Sequence, residues 1–181
     1  GNRTTKQSAE EFNAFESFNY PHLVDAGVNI VYHKERILTP QWDVPMKPHF
    51  RLDNNVIIFS LFPGIREDLI RHIIHTPNLK AIVMRTFGSG NAPQSPWLLK
   101  ALKEGTNNGK VIVNISQCLQ GKVEMDRYDT GYHLKEAGVV SGYDSTVENA
   151  VTKLMFLQSH YDDPEQVRYY MNKSIRGEIT R

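Results

Sequence analysis

A chain of 181 residues has room for one ordinary domain, or for one domain and part of another. Apolar residues make up 40% and charged residues 23%, a globular rather than a disordered composition; the longest apolar runs, such as residues 56–62, are far too short to cross a bilayer. The 21 basic and 20 acidic residues are mixed for a net charge of +1, so no basic surface argues for nucleic acid or an anionic membrane as a partner.

The chain opens Gly1-Asn2-Arg3-Thr4-Thr5-Lys6, without an initiator Met or a signal-like apolar stretch, which suggests a fragment or a processed chain. Residues 1–38 are polar, then mixed (Ala26-Gly27-Val28-Asn29-Ile30-Val31-Tyr32), with little helical period. Residues 39–55 hold Pro40, Pro45 and Pro48 beside Trp42 and Asn54-Asn55, so they read as a linker or an irregular arm.

From residue 56 the pattern becomes regular. Val56-Ile57-Ile58-Phe59 predicts a strand, and Ile65, Leu69, Ile70, Ile73 and Ile74 line one face of a helix. Ala81-Ile82-Val83-Met84 predicts a second strand, followed by the loop Gly88-Ser89-Gly90-Asn91-Ala92-Pro93. Ser95-Pro96 opens a helix that buries Leu98, Ala101 and Leu102 and stops at Asn107-Asn108-Gly109. Val111-Ile112-Val113-Asn114-Ile115 is a third strand; a short helix near residues 131–137 leads to Val139-Val140-Ser141-Gly142. Ser145-Thr146-Val147-Glu148 has the spacing of a capping box before the longest helix, and Asp163-Pro164-Glu165 caps the last one. Strands apolar on both faces, alternating with helices, predict an α/β parallel-sheet layer sandwich of Rossmann-like or flavodoxin-like type.

In open parallel sheets, ligands bind beyond the carboxyl ends of the strands, so Pro63-Gly64, Arg85-Thr86, Ser116-Gln117-Cys118, Ser141 and Asp144 are the candidates. A guanidinium straight after a buried strand needs an anion: for Arg85, either a ligand carboxylate or an internal pair with Asp144, Glu124 or Asp126. The Gly88–Asn91 loop is either an anion cradle built of backbone N–H groups or a plain tight turn. Cys118 is either a nucleophile or a small residue at a partly buried strand end. His72 and His75 share a helix face, but no partners at metal spacing accompany them, and the helix dipole accounts for them. Trp97 and Tyr169-Tyr170 read as packing. Lys6, beside Thr4 and Thr5, is either a solvated charge or a general base for a threonine nucleophile.

Five blocks resemble type I (cytoplasmic) L-asparaginases, in order and across the whole chain. They are Gly1-Asn2-Arg3-Thr4-Thr5-Lys6 with Phe15-Glu16-Ser17; Arg85-Thr86-Phe87-Gly88-Ser89-Gly90-Asn91-Ala92-Pro93; Asn114-Ile115-Ser116-Gln117-Cys118 with Gly121-Lys122-Val123; Gly142-Tyr143-Asp144-Ser145-Thr146-Val147-Glu148 with Thr152-Lys153-Leu154; and Arg176-Gly177-Glu178-Ile179-Thr180. The resemblance implies a C-terminal asparaginase domain over residues 56–181, a linker at 39–55, and the tail end of an N-terminal catalytic α/β domain at 1–38.

It also implies hydrolysis of L-asparagine to L-aspartate and ammonia through a threonine acyl-enzyme, with no metal or cofactor and with Lys6 as a catalytic residue. The hairpin bearing the nucleophile and the second threonine–aspartate pair have no counterpart here, so the chain alone is expected to be inactive. The resemblance further implies a regulatory L-asparagine site at Thr5, Arg85, Asn91 and Cys118, a homodimer or dimer of dimers, and a cytoplasmic location, which the single cysteine also suits. The alternative is a non-catalytic amino-acid-binding domain. The D subunit of tRNA-dependent amidotransferases shares the fold, but the lack of a basic surface and the Asn-Ile-Ser-Gln-Cys block argue against it.

Overall fold

The computed structural model describes residues 1–39, 43–127 and 129–180. Two short antiparallel pairs come first: β1 (Thr5–Lys6) with β2 (Phe15–Glu16), and β3 (Val24–Ala26) with β4 (Ile30–Tyr32). Their residues are mostly exposed, and Val28, at the tip of the second pair, is wholly so. Residues 43–55 form no helix or strand. They lie along the end of a later helix, where the Asp53 amide donates to the Met155 carbonyl (2.9 Å) and the Ser159 hydroxyl to the Arg51 carbonyl (2.8 Å). These residues are thus irregular in structure; Pro40 and Trp42 fall outside the described residues.

The rest is the expected α/β sandwich. Strands β5 (Val56–Ser60), β6 (Ala81–Thr86), β7 (Val111–Ser116) and β8 (Val140–Ser141) form one parallel sheet in chain order. Helices α1 (Glu67–Ile74), α2 (Pro96–Asn107) and α3 (Asp129–Glu136) cover one face, where Ile70, Ile74, Leu98, Leu102 and Leu134 pack on Ile82, Met84 and Ile112. Helices α4 (Val147–Gln158) and α5 (Pro164–Met171) cover the other, with Ala150, Leu154, Leu157 and Val167 on Ala81, Val83 and Val113. Alternate residues of β6 and β7 thus enter two different cores, which is why the runs read as continuously apolar.

Three local expectations change. Leu69 is 44% exposed, because the buried face of α1 runs through Ile70 and Ile74. The N-cap of α4 is Thr146, whose hydroxyl accepts from the Asn149 amide at 3.2 Å; the expected Ser145–Glu148 capping box does not form. Ser145 instead accepts from the Asn149 side chain (3.1 Å), and Glu148 is taken by a distant partner described below. Ser95 caps α2 by position without a side-chain bond, whereas the Asp163 carboxylate accepts from the Glu165 amide as expected. Because the strand order runs β5-β6-β7-β8 without reversing, this sheet holds no topological switch point, and loops rather than a switch-point crevice shape its carboxyl edge.

Candidate functional site

Arg85 is the next-to-last residue of β6, in register with Ser60 and Ile115. Its backbone is clamped: the Arg85 carbonyl accepts from the Leu61 amide (2.9 Å) and the Gln117 side-chain amide (3.1 Å), which also donates to the Leu61 carbonyl (2.6 Å). The guanidinium is only half satisfied. One terminal nitrogen reaches the Gln117 carbonyl at 3.4 Å, while the buried Nε has no hydrogen-bond partner.

None of the three expected carboxylates takes Arg85. Asp144 pairs with Arg3 (2.6 Å), Glu124 with Arg127 (2.8 Å), and Asp126 with Lys135 (2.8 Å). Arg127 and its neighbour Lys122 hold the Glu124 carboxyl below the usual range. A buried N–H without an acceptor is costly, so Arg85 is suited to receive an anion from outside the chain.

The Gly88–Asn91 loop is a tight turn rather than an anion cradle. Its Gly90 and Asn91 amides both donate to the Phe87 carbonyl, at 3.1 and 2.8 Å. Two polar contacts hold it to β7: Asn114, which accepts from the Thr86 hydroxyl (2.6 Å), donates to the Gly90 carbonyl (3.0 Å), and Ser116 donates to the Gly88 carbonyl (2.6 Å). Gly90 has φ +104°, and a Cβ there would lie 2.6 Å from the Val123 side chain, so only glycine fits. Asn91, half-buried, accepts from the Thr130 hydroxyl of α3 at 2.7 Å.

Cys118 is exposed, not partly buried as expected. It follows β7 by two residues, where the turn onto Ser116 lifts it away from the core, and it borders an open cleft of about 420 Å³ with Ser89, Gly121 and Lys122. No hydrogen bond among the described residues joins Arg85, Asn91 and Cys118 to one another, although β6 and β7 bring all three to one edge of the sheet.

Thr5 and Lys6 belong to a second cluster. The Thr5 hydroxyl is buried and donates to Glu148 Oε1 at 2.8 Å. Lys6, the next residue, is exposed, with Nζ 5.8 Å from the Phe15 ring centroid and no carboxylate partner among the described residues. The buried Arg3–Asp144 pair lies beside them; Arg3 also donates to the Asn19 carbonyl (2.9 Å), and Asp144 accepts from the Thr180 amide (2.7 Å). A further buried pair, Lys153–Glu178 at 2.6 Å, fixes the chain end against α4. Glu178 loses solvation by burial, yet the Lys153 bond and the Ile175 and Arg176 amides outweigh this and lower its carboxyl below the ordinary value.

Sequence reasoning assigned Glu148 to a helix cap and left Asp144 as a possible Arg85 partner; their hold on Thr5 and Arg3 was missed. The available signal was two acids four residues apart at a helix start, while their partners lie more than 140 positions earlier. Among the described residues, no group of three or more His, Cys, Asp or Glu side chains is arranged to hold a metal, and no helix is long and apolar enough to cross a membrane. His75 faces Glu104 at 3.3 Å.

Residues 55–171 match the model of the glutaminase/asparaginase C-terminal domain, well over half of the chain. The chain belongs to that family. The matched domain runs from the residue before β5 to the end of α5, so it coincides with the parallel sheet and its helices. L-asparaginase 1 of Escherichia coli is 40% identical over 183 residues, covering 99% of this chain and 53% of that protein. The crystal structure of L-asparaginase I from Vibrio cholerae superposes with a TM-score of 0.92 at 39% identity, again over 99% of this chain and 54% of that one. The same asparaginase-type chain also resembles part of a larger human protein, the 60 kDa lysophospholipase, at 39% identity over 99% of this chain and 31% of that protein. The resemblance to type I asparaginases is thereby borne out, and this asparaginase-family chain spans about half the length of the L-asparaginases it matches.

Proposed function

We propose that this chain is the C-terminal part of an amidohydrolase that converts L-asparagine to L-aspartate and ammonia. The observation that carries the proposal is that the likeness to L-asparaginase 1 runs through 99% of the chain, so it includes the segment bearing Lys6 as well as the 55–171 domain. In the intact protein a threonine hydroxyl of the N-terminal half attacks the side-chain amide carbon, ammonia leaves, and water hydrolyses the resulting ester. Lys6 carries protons in that sequence, and its amine, unpaired with any carboxylate of the described residues, suits the role. Residues 1–38 belong to the catalytic domain and 39–55 to the linker; the N-terminal half and a second copy, as a dimer or dimer of dimers in the cytoplasm, are the proposed partners. Full-length protein with Lys6→Met should lose kcat by on the order of 10²–10⁴-fold, as expected for a lost acid–base group. Retention of normal turnover would falsify the assignment.

A second reading is favoured by Arg85. Its buried, unpartnered Nε suits the α-carboxylate of a bound amino acid, so the chain also offers a regulatory L-asparagine site that includes Thr5, Asn91 and Cys118. Titration calorimetry on the 181-residue chain should detect L-asparagine, with Arg85→Ala weakening binding by about 1.5–3 kcal/mol, the worth of a hydrogen bond to a charged group. Equal affinity in the variant removes this reading.

A further inference from the structure

Thr5 and Lys6 are consecutive residues of β1, and consecutive strand side chains point to opposite faces. Whatever fixes the buried side of Thr5 therefore fixes the side on which Lys6 stands. Among the described residues, the side-chain hydrogen bond that holds Thr5 goes to one carboxylate. Glu148 Oε1 accepts the Thr5 hydroxyl at 2.8 Å from the first turn of α4, where its charge also complements the amino end of the helix. β1 has only two residues and a single short partner, β2, with Thr5 opposite Glu16 and Lys6 opposite Phe15. So little pairing specifies register weakly, and a slip of one residue would turn Lys6 inward and Thr5 out. The hairpin has other ties at neighbouring points: Thr4 to Ser17 at 2.8 Å, Arg3 to Asp144 two residues before Thr5, and the Gln7 amide to the Ala14 carbonyl at 2.8 Å just after Lys6. None of these bonds the side chain of Thr5 or Lys6, and Lys6 itself meets the Phe15 ring.

We propose that Glu148 is a positioning residue for catalysis, holding Lys6 in its working orientation by gripping Thr5 from the amino end of α4. The inference rests on the proposed catalytic role of Lys6. It assigns Glu148 no proton transfer and no contact with substrate.

The test is steady-state hydrolysis of L-asparagine by the full-length protein. Glu148→Ala should lower kcat by on the order of 10- to 100-fold, the scale expected from misplacing a reacting group by about 1 Å, with KM within about twofold of normal. Glu148→Gln, which keeps an acceptor oxygen, should recover most of that loss. Thr5→Val, which removes only the hydroxyl, should match Glu148→Ala, and the double variant should be no worse than either. Thr5→Val against Thr5→Ser carries the same comparison if Glu148→Ala does not fold. Normal kcat in Glu148→Ala or Thr5→Val, losses that multiply in the double variant, or no recovery in Glu148→Gln would each overturn the proposal. Lys6→Met in the same series separates the two levels: if it turns over normally, the catalytic role itself fails; if it is dead while Glu148→Ala is normal, only the positioning role fails.

Discussion

Val83 and Val28 are the same side chain in opposite circumstances. Val83 sits mid-strand in β6, wholly buried under α4 and α5, whereas Val28 stands fully in solvent at the tip of the β3–β4 pair. The contrast extends to their regions. In the 56–171 sheet the central strands β6 and β7 have helices over both faces and are almost wholly buried, while Phe12, Ile30, Val31 and Phe50 of the first 54 residues have no opposing layer and remain exposed. Apolar content is present in both; burial depends on whether another element covers it.

The contrast can be tested by stability, beginning with the strongest tie. Glu178→Gln would leave the buried Lys153 ammonium without its counter-charge and should cost about 3–5 kcal/mol in urea unfolding; a loss below 1 kcal/mol would mean that the chain end is not anchored to α4 as described. The same pair sets a pH dependence. Because the folded Glu178 carboxyl lies below the ordinary value of 4.5, its stabilisation is complete above that pH and is lost as pH falls through the lower folded value. In Glu178→Gln, the acid-side slope of stability against pH should be flatter than in the unaltered chain.

Leu102→Ala, in the core between α2 and the sheet, should cost about 2–5 kcal/mol. Thr146→Ala should cost about 1 kcal/mol, since it removes the α4 cap, and Ser145→Ala less, since its hydroxyl caps nothing. Val28→Ala should change stability by no more than about 0.5 kcal/mol. If thermal or urea unfolding ranked Val28→Ala with Leu102→Ala, the division into a packed sheet and an uncovered N-terminal region would fail.

The sheet was legible because periodicity reports burial directly. The runs at 81–84 and 111–115 became β6 and β7, and Ser95-Pro96 and Asp163-Pro164 opened helices where turn chemistry placed them. The candidate site was legible in part. Arg85 at a strand end announced a need for an anion, and the structure leaves that need open. That Asp144 and Glu124 are occupied elsewhere was not legible, since charge on a page does not say which of several partners is nearest.

The sequence alone determined the α/β class, the strand and helix order and the family, because these depend on local period, turn residues and ordered motifs. Only the tertiary structure decided that Glu148 grips Thr5, that Arg3 takes Asp144, and that Lys153 holds Glu178. Each joins residues on separate elements, and in a folded chain such pairs are selected by distance in space, which one-dimensional spacing does not encode.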